Sequence, residues 1–123
     1  MSRVLIADDE APICLALKET LVEIDSDVEI ALDGKDAYEK LLNEHYDVVL
    51  LDIYMPGMNG LDIAKAVKKR GIDTDIMIMT GKGTIEDTID ALGIQIEEFI
   101  TKPFRFDKIL VSVKEILEKR RSG

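Results

Sequence analysis

The sequence has one cysteine, Cys14, and one histidine, His45. A lone cysteine excludes an internal disulfide and cannot by itself make a metal or redox motif. Cys14 therefore reads first as a small, partly buried helix residue. His45, near the expected end of a helix, lacks the partners that a metal site needs and is not assigned a relay role. Long apolar runs are also missing, since no stretch approaches the roughly 20 residues that cross a bilayer. The N-terminus is expected to run directly into a strand-like segment instead of a signal peptide. Positive charge is scarce: 16 basic against 25 acidic residues give a formal net charge of −9, which argues against a sequence-independent grip on nucleic-acid phosphates. DNA binding would belong to another chain or domain. Repeats, low-complexity tracts and Pro- or Ser-rich linkers are absent as well. The expectation is one soluble, cytoplasmic domain over residues 1–123, 46% apolar and able to bury a real core.

What is present is an alternation of short apolar runs with longer amphipathic stretches, repeated five times. The strand candidates are Arg3–Asp8, Val28–Leu32, Asp47–Asp52, Asp75–Thr80 and Glu97–Thr101, each followed by a helical period. Parallel strands joined by crossover helices follow from that pattern. Strands buried on both faces read as continuous apolar runs, as in Val4–Ala7, Val48–Leu51 and Ile76–Met79. Glu29 interrupts the second strand, and Glu97-Glu98 opens a short fifth, so these two belong at the edges. Right-handed crossovers then give the order 2-1-3-4-5, a single doubly wound (βα)5, flavodoxin-like α/β domain. In such sheets ligands bind outside the carboxyl ends of the strands, where the chain reverses direction between strands one and three. In the last helix Phe106, Ile109, Leu110, Val113, Ile116 and Leu117 form an apolar stripe. In the first helix Pro12 suits the first turn. Ile13, Leu17, Thr20, Leu21 and Ile24 share one face there, which leaves Leu15 and Val22 outward.

Four strands deliver three carboxylates, a hydroxyl and an ammonium to that rim: Asp8 and Asp9, Asp52, Thr80, and Lys102. Each alone has an ordinary reading as a helix cap or a solvated charge. Together the carboxylates would raise one another's pKa and destabilise the fold unless a cation joined them. The donors are hard oxygens, too few for an all-protein calcium cage, so Mg2+ fits best, with waters and a phosphate oxygen completing the shell. That chemistry suits phosphoryl transfer, with an Asp carboxylate as nucleophile. Lys102 would then neutralise one phosphoryl oxygen and the Thr80 hydroxyl would bind another.

These residues resemble the receiver domains of bacterial two-component response regulators, of the chemotaxis-regulator kind. The matching segments are Val4-Leu5-Ile6-Ala7-Asp8-Asp9-Glu10, Asp52 to Gly60, Ile78-Met79-Thr80-Gly81 and Phe99-Ile100-Thr101-Lys102-Pro103-Phe104. The resemblance implies that Asp52 is phosphorylated by a histidine kinase or histidine phosphotransfer protein. It implies that Asp9 and Asp52 bind Mg2+ directly, that Asp8 acts largely through water, and that the backbone carbonyl of Tyr54 completes the protein's share of the shell. It also implies a cis Lys102–Pro103 bond. In the switch it implies, Thr80 moves toward the phosphoryl group and Phe99 turns inward, remodelling the face of the fourth helix, fifth strand and last helix. Such a domain signals, promoting its own phosphorylation and dephosphorylation, and is not an enzyme with a separate substrate. Its output protein or domain lies outside this chain, and it is a monomer or a phosphorylation-dependent dimer.

Gln95-Ile96 stands where the family usually has Gly-Ala, with Gly93 two residues earlier, which leaves the geometry of the output face open. Tyr54 and Lys82 flank the expected phosphoryl position and are candidates for limiting attack by water. Leu15, with Cys14 and Phe104, is a candidate contact for a kinase. A haloacid-dehalogenase-like phosphatase would need a second Asp two residues after the nucleophile, where Tyr54 stands. A flavin binder would need a phosphate loop that Asp8-Asp9-Glu10 would repel. An unphosphorylated pseudo-receiver would have no need of the complete set of acids, hydroxyl and lysine.

Overall fold

Residues 1–81, 90 and 93–122 are described by the computed structural model. The apolar runs become strands β1 (Ser2–Ala7), β2 (Ser26–Ala31), β3 (Val48–Asp52), β4 (Asp75–Thr80) and β5 (Glu98–Thr101). Helices α1 (Ala11–Leu21), α2 (Gly34–Asn43), α3 (Gly60–Lys69) and the C-terminal α4 (Phe106–Ser122) lie between or after them. The fourth helical period expected from the sequence falls mainly outside the described residues, as does Lys82. All neighbouring strands pair in parallel, in the order β2-β1-β3-β4-β5.

Period-two alternation divides each central strand between two cores. Leu5, Ala7, Val49, Leu51, Ile76 and Ile78 face Ala37, Leu41, Ile63 and Val67 of α2 and α3. Val4, Ile6, Val48, Leu50, Met77 and Met79 face Leu17, Leu21, Ile109, Val113 and Leu117 of α1 and α4. Both cores being apolar, β1, β3 and β4 have no polar face to show, which is why their runs are unbroken. On the edge strand β2, Glu29 is partly buried and pairs with Arg3 at 2.9 Å. Leu15 and Val22 are outward as their helical phase requires, 58% and 68% exposed. Phe106 is 37% exposed: it opens α4 and stacks edge-on against Phe104, ring centroids 5.4 Å apart, instead of joining the buried stripe.

Charges at the amino-terminal rim of the sheet are paired within the fold. Arg120 of α4 reaches Asp47, Asp73 and Asp75 at 3.4, 3.1 and 3.0 Å. Arg3 bonds Asp27, Glu29 and Glu44 and lies over the Tyr46 ring, 4.7 Å from its centroid. The carboxyl rim gathers acids of another kind.

Candidate functional site

Each strand end places one polar group. β1 stops at Ala7 and the chain turns through Asp8 and Asp9 into α1, whose first turn accepts Pro12 because it needs no backbone N–H there. Asp8 is fully buried. Its backbone N–H donates to the carbonyl of Ala31 at 3.1 Å, and its Oδ1 accepts from the Glu10 N–H at 3.0 Å. β3 ends on Asp52, 6% exposed, and β4 on Thr80, 4% exposed. β5 is in register with β4, pairing Thr101 with Thr80. The Lys102 N–H donates to the Thr80 carbonyl at 2.8 Å, and the Lys102–Pro103 bond is cis, as the resemblance implies.

That register carries the Lys102 ammonium into the acidic rim. Nζ lies 2.8 Å from Asp8 Oδ2, 3.1 Å from Glu10 Oε1 and 3.5 Å from Asp52 Oδ2. Burial, then the charge of Asp8, pushes the Asp52 carboxyl up to about 6 against the pull of Lys102. For Lys102, burial lowers its pKa, but the hydrogen bond to Asp8 and the charge of Asp52 outweigh it and hold the ammonium above its ordinary range. Carboxylate oxygens of Asp8, Asp9 and Glu10 lie within 4.8 Å of one another. An oxygen-only set of that size, beside a carboxyl that resists ionisation, fits a hard divalent cation that keeps several waters.

The loop after Asp52 is held from two sides. The Gly60 N–H donates to the Ile53 carbonyl at 2.8 Å, and the Gly34 N–H to the Pro56 carbonyl at 2.9 Å. Both glycines sit against backbone: a Cβ on Gly60 would lie 2.2 Å from the Asp52 carbonyl oxygen, and one on Gly34 would lie 1.7 Å from that of Met58. Asn59 caps α3 by accepting from the Asp62 N–H at 2.9 Å.

Lys102 thus contacts both Asp8 and Asp52, Asp9 joins the acid cluster, and Thr80 meets Lys102 through the backbone. Tyr54, two residues beyond Asp52, is half exposed. Phe99 is partly buried against the α2 and α3 core, and Phe104 against the α1 and α4 core. Cys14 is withdrawn as a kinase contact. It is fully buried, its thiol donates to the Asp8 carbonyl at 3.3 Å, and burial followed by the charge of Asp8 raises its pKa to about 11. Glu10 was missed as a site residue. Its one signal was position: Glu stands at the N-cap of α1, where Ser, Thr, Asp or Asn would bond the helix end, and its side chain makes no such bond.

The family model for the response regulator receiver domain matches residues 4–114. The transcriptional regulatory protein DltR of Streptococcus agalactiae is 36% identical over 121 residues, covering 98% of this chain and 53% of DltR. The chain thus spans about half the length of the curated relatives it matches. Among solved structures, the receiver domain of the Francisella response regulator 1452 superposes with a TM-score of 0.89 at 29% identity, covering 98% of this chain and 99% of that one. The Thermotoga maritima response regulator TrrA, solved in complex with Mg2+ and BeF, superposes with a TM-score of 0.83 at 34% identity, covering 94% and 99%.

Proposed function

The chain belongs to the response regulator receiver domain family, and on that premise we propose that Asp52 accepts a phosphoryl group from a histidine kinase or a histidine phosphotransfer protein. One observation carries this reading: a partly buried ammonium, Lys102, is set between Asp8 and the terminal carboxylate of β3 at 2.8 and 3.5 Å. An Asp52 oxygen attacks phosphorus as the bond from phosphorus to the donor's nitrogen or oxygen breaks, and the leaving group keeps the electron pair. Negative charge accumulates on the phosphoryl oxygens. Lys102 answers it on one side and the Thr80 hydroxyl on another. Asp8, Asp9, Asp52 and the Tyr54 carbonyl would hold Mg2+, which when bound supplies charge neutralisation. Even with Lys102 beside it the Asp52 carboxyl sits at about 6, so a minor fraction stays protonated near neutrality. Positive charge drawn to the rim favours its anion.

The domain signals through Thr80 and Phe99, which bias the β5 and α4 face between two arrangements that a downstream protein or domain reads. No described helix is long and apolar enough to cross a membrane, and we place the protein with its kinase in the cytoplasm. Incubation with acetyl phosphate and Mg2+ is expected to add one phosphoryl group by intact mass, and Asp52→Asn to lose that gain. A chain that gains none is a pseudo-receiver.

Two proposals concern rates and partners. Tyr54 and Lys82 shield the phosphoryl group from water, so Tyr54→Asn is expected to speed its hydrolysis several-fold; an unchanged lifetime removes the idea. Leu15, 58% exposed on α1, together with Phe104 makes the kinase contact. Leu15→Asp should slow transfer from the cognate kinase while leaving phosphorylation by acetyl phosphate intact. Equal transfer from the kinase would exclude that contact.

A further inference from the structure

Glu10 holds a position that normally serves the helix behind it. Its backbone is extended at φ −90° and ψ 91°, and its carbonyl accepts from the N–H groups of Ile13 and Cys14 at 3.0 and 3.2 Å, opening α1. Its N–H is taken by Asp8 Oδ1 at 3.0 Å. A side chain with this backbone would ordinarily bond the free N–H groups of the first turn. That of Glu10 instead crosses to Lys102, 92 residues away in sequence, at 3.1 Å.

The two carboxylates that bond Lys102 most closely are unequal. Asp8 has no solvent exposure at all, whereas the Glu10 side chain is 57% exposed. The ammonium therefore has a partner inside the site and another at its mouth, with Asp52 at 3.5 Å beside them. Any cation entering the acid cluster competes with Lys102 for Asp8. A phosphoryl group arriving at Asp52 competes with Glu10 for Lys102.

Resting on the Asp52 reading above, we propose that Glu10 is a positioning residue for Lys102. By holding the ammonium at the mouth of the site it lets Asp8 turn to a divalent cation. By the same contact it draws the ammonium away from an incoming phosphoryl group. Removing the contact has effects of opposite sign on the two ligands: Lys102 falls back on Asp8 and cation binding weakens, while a phosphoryl donor meets an ammonium with one competitor fewer.

Two variants separate contact from charge. Glu10→Ala removes both. Glu10→Asp keeps the charge but shortens the reach, and Asp is a strong N-cap residue that turns its carboxylate back onto α1. Calorimetric titration with Mg2+ alone is expected to give about threefold weaker binding in both variants, the scale of an exposed ion pair. At saturating Mg2+, half-saturation for acetyl phosphate is expected to fall about threefold in both. Wild-type behaviour of Glu10→Asp would reduce Glu10 to a background charge and overturn the proposal. So would weakening of both ligands together, which marks a structural defect, or no change in either. Failure of the unaltered chain to take up a phosphoryl group would overturn the Asp52 reading instead, and the Mg2+ titration would then decide the role of Glu10 alone.

Discussion

Asp52→Asn is expected to abolish phosphoryl uptake and, in chelator at pH 8, to make the domain more stable by about 2 kcal/mol. The first effect follows from losing the nucleophile. The second follows from what the fold does to this carboxyl, whose pKa rises from 3.8 to about 6, first through burial and then through the charge of Asp8. A carboxyl that is harder to ionise folded than unfolded binds its proton more tightly in the native state. Stability is therefore greatest below pH 3.8 with respect to this group and is lost as pH rises through about 6. The amide removes the ionisation, at the expense of an ion pair with Lys102 that is already long at 3.5 Å. Urea midpoints at pH 5 and pH 8 test this: the advantage of the Asp52→Asn variant over the native chain should be about half as large at the lower pH as at the higher. A variant less stable than the native chain at pH 8 would mean that Lys102 outweighs burial. Adding Mg2+ should reverse the order, because a ligand that binds only the folded state stabilises by mass action and the variant has lost one of its oxygens. Stability sacrificed at a charged position in this way is common where chemistry is done.

Much of this was legible because the physics that decides it is local. Val4-Leu5-Ile6-Ala7 announces a strand buried on both faces, and Glu29 an edge, from two or three residues each. From those the sheet order follows, and with it the rim on which Asp8, Asp9, Asp52, Thr80 and Lys102 meet. What stayed hidden depends on contacts across the chain. Helical phase placed Ile13, Leu17 and Leu21 inward and left Cys14 on the flank. Cys14 is buried because the turn from β1 sets the Asp8 carbonyl over it. Glu10 has no local mark beyond an unusual cap, since the partner that gives it meaning is Lys102, 92 residues away in sequence. Phe106 fits the apolar period of α4 yet sits at its first residue, where no helix turn precedes it and Phe104 is the available surface. The three acidic partners of Arg120 are likewise invisible in sequence, being drawn from the β3 and β4 ends of the opposite rim.

Gly60→Ala is expected to cost about 3 kcal/mol or more, with phosphoryl uptake falling in whatever fraction remains folded. The cause is a close approach of backbone to backbone. A Cβ at this position would stand 2.2 Å from the Asp52 carbonyl oxygen and 2.9 Å from the Ile53 Cα. A flexible side chain could swing away from such a methyl, but these atoms belong to the end of a central strand. Relief requires either that α3 lifts off the sheet, opening the packing of Ile63 and Val67 against Val49 and Leu51, or that the Asp52 peptide shifts and carries its carboxylate with it. Either response also strains the bond from the Gly60 N–H to the Ile53 carbonyl, 2.8 Å long. Gly81→Ala serves as the control, since a Cβ there meets nothing within 4 Å among the described residues. Its stability should stay within about 0.5 kcal/mol of the native value. Denaturant midpoints of the two variants isolate the close approach from any general effect of replacing glycine. A Gly60→Ala domain as stable as the control would mean that the strand end yields. In that case Asp52 would not be held by the start of α3, and its placement would rest on Lys102 and the β3 pairing alone.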